Sequence, residues 1–122
     1  MCYYMPTMKR NTIKNHIDFA MGVNDPTARC AFFLVRAKPA KFPDDPRYGL
    51  IVTKKTFKHA VDRNRAKRLI RDWIAYNEKM LRSEWDYVFV IRRDILGADR
   101  LSGREAMRKA LHYLKKQETD AQ

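Results

Sequence analysis

Residues 54–71 carry eight cationic side chains (Lys54, Lys55, Lys58, Arg63, Arg65, Lys67, Arg68 and Arg71) against one acid, Asp62. From Ala60 to Leu81 the same region follows a helical apolar pattern. On a helical wheel with Arg63 at zero, Ala66, Leu69, Ile70, Trp73, Tyr76 and Met80 fall between roughly 220° and 340°. Arg63, Asn64, Arg65, Lys67, Arg68 and Arg71 fall between roughly 0° and 200°. Ile74 and Leu81 lie near the charged edge and break the pattern. A helix built this way needs an apolar surface on one side and water or an anion on the other. It therefore has to lie on the outside of a core supplied by other elements.

The whole chain of 122 residues has 26 Lys+Arg, 14 Asp+Glu and a net charge of +12. More than half of that excess lies in residues 54–71. Acids one helical turn away would neutralise a solvated face, and only Asp62 lies within the run. The pattern points to a polyanion, and in a reducing compartment nucleic acid is the commonest one. A hydrophobic fraction of 45% excludes a wholly disordered basic tail. No run of apolar residues is long enough to span a bilayer, and the first residues lack signal-peptide character. Two cysteines, Cys2 and Cys30, are too few for a disulfide framework or a zinc knuckle, so the cytoplasm is the expected location.

The other elements follow from apolar patterning. Residues 1–12 read as a flexible leader. Ile13 to Met21 fits a short helix, ended by Asn24-Asp25-Pro26-Thr27. Ala31 to Val35 (AFFLV) and Arg47 to Thr53 (RYGLIVT) read as two strands of a hairpin, joined by a loop with Pro39, Pro43 and Pro46. Tyr87 to Ile91 (YVFVI) is a buried-type strand. Ser102 and Glu105 fit a capping box opening a last helix with Met107, Ala110, Leu111 and Leu114 inward. The order α, β, β, α, β, α predicts an α+β fold: a small two-layer sandwich of helices on a central antiparallel or mixed sheet. The expected organisation is one domain over residues 13–116, with a tail at 117–122.

Rows of arginines suit a phosphate backbone, because a guanidinium pairs with two phosphate oxygens at once. Arg63, Lys67 and Arg71 form one row about 12 Å long. Asn64 and Arg68 run beside it. Asn64 can both donate and accept, so it suits either a turn or a base edge or 2′-hydroxyl.

The block Arg63-Asn64-Arg65-Ala66-Lys67-Arg68-Leu69-Ile70-Arg71 resembles the RNR signature of the bacterial ribonuclease P protein subunit. Gly49 to Lys55 resembles that family's strand ending in two lysines, and Ala60-Val61 stands where the family has Ala-Val. Asp18-Phe19, Asp86-Tyr87-Val88 and Arg92 match in order, so the resemblance covers about residues 12–116. One turn after Phe19 the chain has Val23, where the family often has a second aromatic.

The resemblance implies a protein that binds a large catalytic RNA and helps it remove the 5′ leader of precursor tRNA. This chain would then be the protein component of an endoribonuclease whose RNA hydrolyses the phosphodiester with Mg²⁺. It also implies a left-handed β-α-β crossover, against the usual right-handed preference. Lys54, Lys55, Arg63, Asn64, Arg65, Lys67, Arg68 and Arg71 would be RNA contacts. Lys14, Phe19 and Phe33 would line the leader cleft between the N-terminal helix and the sheet. On the residues alone Phe19 is equally a core residue, and AFFLV is equally read as all core. No obligate protein partner and no membrane are implied.

No pattern of a protein active site is present. His16, His59 and His112 lack metal-ligand spacing, Cys30 has no histidine partner, and Asp44-Asp45 sits in a proline-rich loop. Two other classes fit a basic helix on a sheet: a structural, ribosomal-type RNA-binding protein, and a duplex DNA binder with that helix in the major groove.

Overall fold

A computed structural model describes residues 11–12, 26–40, 47–81 and 85–121. The helix expected at 13–21 lies outside them, as do Lys14, Phe19 and Val23. Among the described residues there are five strands: β1 (Asn11–Thr12), β2 (Thr27–Arg29), β3 (Phe33–Pro39), β4 (Arg47–Ile51) and β5 (Trp85–Ile91). Two α-helices join them: α1 (Ala60–Tyr76), between β4 and β5, and α2 (Arg100–Ala121), after β5. α2 thus runs on past residue 116, and β1 occupies the end of the expected leader.

The sheet order is β1-β4-β5-β3-β2. β3 and β4 are therefore not hairpin partners, which corrects the sequence expectation. β5 lies between them, antiparallel to β3 and parallel to β4. The reason is burial. Six of the seven β5 residues are buried, and a strand covered on both faces belongs at the centre of a sheet. β4, α1 and β5 form a β-α-β crossover in a mixed sheet, as expected. The hairpin that does form pairs β2 with β3. It is closed by the Cys30 N–H donating to the Phe33 carbonyl at 2.9 Å.

β3 starts two residues later than expected and runs through Pro39. Phe32 therefore sits in the bend and is not governed by strand alternation. Its ring lies 5.6 Å from Trp73 of α1, and that of Phe33 lies 6.4 Å from it, so both aromatics pack on the same indole. Phe33, Val35 and Ala37 face the helices beside Tyr87, Phe89 and Ile91, their register partners on β5. Ala66, Ile70, Trp73 and Ile74 of α1, with Met107, Leu111 and Leu114 of α2, close this layer. Each large apolar side chain buried here contributes about 1.5–3 kcal/mol.

The helices themselves touch closely. A methyl carbon placed on Gly103 of α2 would lie 2.0 Å from Cε2 and Cζ2 of Trp73. The Asn77 side chain donates to the carbonyls of Trp73 and Arg104, both at 3.0 Å. Arg104 in turn pairs with both carboxylate oxygens of Asp72 and lies over the Tyr76 ring. The start of α2 differs from the expected capping box. Asp99 caps it, accepting from the Ser102 N–H at 2.7 Å and the Ser102 hydroxyl at 3.1 Å. The Ser102 backbone bond holds the Asp99 carboxyl below the usual carboxylate range. Glu105 pairs with Arg108 and does not return to Ser102. An Asp three residues before Ser102 satisfies the same free N–H, which is why either cap fits the sequence.

On the opposite face of the sheet, Asp86 is fully buried and accepts from the Arg47 N–H at 2.7 Å and from its guanidinium at 3.4 Å. Asp86→Ala would leave a buried guanidinium without this carboxylate and is expected to lower stability by roughly 3 kcal/mol. A urea midpoint within error of the wild type would show that the pair contributes nothing.

Candidate nucleic-acid interface

The interface begins at the turn after β4. The Thr53 carbonyl accepts from the Phe57 N–H at 3.0 Å, and its hydroxyl accepts from the Thr56 N–H at 3.2 Å. Phe57 is buried and anchors the turn, so Lys54, Lys55 and Lys58 stand exposed around it. Arg63 fastens this turn to α1, donating from one guanidinium nitrogen to the carbonyls of Phe57 at 2.8 Å and Lys58 at 3.2 Å. The first residue of the expected arginine row is thus half-buried and holds backbone.

The exposed face of α1 is Asn64, Arg65, Arg68 and Arg71, with Lys67 half-buried at its edge. The helix is rotated relative to the wheel reading. Ile74 is fully buried, whereas Tyr76 is exposed beneath Arg104. α2 packs on the 72–77 side of α1: its Gly103 meets Trp73, and the Arg104 carbonyl accepts from the Asn77 side chain, contacts invisible in the periodicity of α1 alone.

Of the residues expected in the leader cleft, only Phe33 is described, and it does not line one. Phe33 is fully buried against Trp73 and Phe89, on the helix-packed face. The other sheet face instead presents half-buried Leu34, Arg36 and Lys38 of β3, with Ile51 of β4 and Val90 of β5. Two of these are cations that the sequence reading missed. Strand alternation would have placed them together had β3 been extended to Pro39. Arg93, just after β5, was missed as well. It joins Lys55, Lys58, His59 and Asp62 around a pocket of about 180 Å³ at the start of α1. Among the described residues no three His, Cys, Asp or Glu side chains converge to hold a metal ion. No helix among them is long and apolar enough to cross a membrane.

The family model for Ribonuclease P matches residues 7–115. The chain belongs to the ribonuclease P protein family. The ribonuclease P protein component of Pseudomonas paraeruginosa is 46% identical over 52 residues, covering 43% of this chain and 38% of the relative. That of a Marinomonas species is 41% identical over 80 residues, covering 64% and 59%. The matched stretches therefore span well under two thirds of these curated relatives. A mutant of the Staphylococcus aureus ribonuclease P protein has a similar structure, with a TM-score of 0.72 and 25% identity over 85% of this chain and 87% of that one. The Thermotoga maritima ribonuclease P protein gives 0.60 and 23%, covering 72% and 82%, a likeness of fold. Of the RNR block, Asn64, Arg65, Arg68 and Arg71 are exposed like the double lysine, while Arg63 ties the lysine turn to α1.

Proposed function

We propose that this chain acts as the protein subunit of a ribonuclease P holoenzyme in the cytoplasm, binding the catalytic RNA and the 5′ leader of precursor tRNA. The observation that carries the reading is the exposed array Asn64, Arg65, Arg68 and Arg71, set beside the Lys54-Lys55 turn on this family's fold. These side chains would pair with phosphates of the catalytic RNA. Arg63 would keep the lysine turn in register with the helix. The second sheet face, with Arg36 and Lys38 beside apolar Leu34 and Val90, suits a single strand: cations for its backbone and apolar surface for its bases. Lys14 and Phe19, placed in the cleft by the family resemblance, would complete that site. The Mg²⁺ ions of the hydrolysis are assigned to RNA and substrate. The protein's part is to reduce repulsion between phosphates and to favour precursor over product.

The test is reconstitution with a bacterial ribonuclease P RNA and cleavage of precursor tRNA at low Mg²⁺. Cleavage should exceed that by the RNA alone, and the gain should shrink as Mg²⁺ rises and screens the phosphates itself. Equal rates with and without protein at low Mg²⁺ would sink the reading.

A further inference from the structure

A pocket of about 280 Å³ lies between α1 and α2, lined by Arg65, Arg68, Leu69, Asp72, Trp73 and Arg100. Arg100 is the first residue of α2, one turn before Gly103. The contact of Gly103 with the Trp73 ring brings Arg100 to the same pocket as the two α1 arginines. The Asp72 carboxylate at this pocket is paired through both oxygens with Arg104, and the three arginines outnumber it. Three exposed guanidiniums, none with a partner among the described residues, therefore surround the opening. Gathered like charges form a poor arrangement in water and a good one around an oxyanion.

We propose that this pocket seats one phosphodiester group of the partner RNA, held jointly by Arg68 and Arg65 of α1 and Arg100 of α2. The RNA-binding surface then crosses from the signature helix onto the start of the last helix. This inference rests on the proposed function and extends it to a residue outside the RNR block.

The experiment measures affinity of the full chain for a bacterial ribonuclease P RNA across a salt series, for wild type, Arg68→Ala, Arg100→Ala and the double variant. Arg108→Ala, on the same helix but paired with Glu105, is the control. Arg100→Ala should weaken binding roughly fivefold to tenfold and flatten the salt slope. The double variant should lose less than the product of the two single losses, because both arginines hold one phosphate. Wild-type affinity and slope for Arg100→Ala, alongside a weakened Arg68→Ala, would overturn the pocket and leave the proposed function standing. Multiplicative losses would also overturn it, by assigning the two arginines to separate phosphates. A wild-type chain that does not bind the RNA removes both. A parallel titration with inorganic phosphate follows the Trp73 indole N–H resonance. Saturation there, with Arg100→Ala binding RNA normally, would make this a free-anion site and overturn the RNA assignment.

Discussion

Gly103→Ala is expected to destabilise the protein by roughly 3 kcal/mol or more, although it sits inside a helix. Helix propensity alone predicts the opposite sign, a gain of about 0.5–1 kcal/mol for Gly to Ala at such a position. Packing decides, because the added carbon would lie 2.0 Å from two ring carbons of Trp73. Trp73 is fully buried and also supports Phe32 and Phe33, so displacing its ring would disturb both of those contacts. Relief would require α1 and α2 to separate, which opens voids around Met107 and Leu111. Gly97→Ala is the matched control, since nothing lies within 4 Å of a carbon placed there. Denaturant unfolding of the two variants checks this: the midpoint should fall for Gly103→Ala and stay near wild type for Gly97→Ala. Equal midpoints would mean that the helices are not in this contact.

The second large effect is on binding. Replacing Arg65, Arg68 and Arg71 together by alanine is expected to lower affinity for a bacterial ribonuclease P RNA by roughly a hundredfold at moderate salt. The slope of log affinity against log salt should fall by about 2. All three side chains are exposed, so stability should change by no more than about 0.5 kcal/mol per site. The separation of the two readouts is the point of the test. An unchanged salt slope would show that this face of α1 does not meet phosphates. Arg63 is left out of the triple variant because its guanidinium holds the carbonyls of Phe57 and Lys58, so its loss would mix folding with binding.

These contrasts show which kinds of information a chain exposes locally. α1 was legible because its two faces differ within a window of a few turns, and the buried character of Tyr87–Ile91 because the run is continuous. The RNR block and double lysine carried the family resemblance, and the sandwich of helices on a mixed sheet followed. Pairing was not legible. AFFLV and RYGLIVT are apolar neighbours in sequence, yet β5 separates them, because partners are chosen by which strand can be covered on both faces. Phe33 was read toward the leader cleft and is core, because the strand starts at Phe33 and its inward side is set by Trp73.

By itself the sequence determined that a cationic helix face exists around Arg65, Arg68 and Arg71, and that a polyanion is the partner such a face suits. Those are properties of charge and period, read over a few helical turns. Tertiary structure alone decided how that helix is rotated, with Ile74 buried and Tyr76 left exposed beneath Arg104 of α2. It also took Arg63 out of the exposed row, placed Arg36 and Lys38 on one sheet face, and brought Arg100 beside Arg65 and Arg68. Each of these depends on contacts between residues far apart in the chain. Such contacts are settled by close packing of whole elements, which no local window of sequence contains.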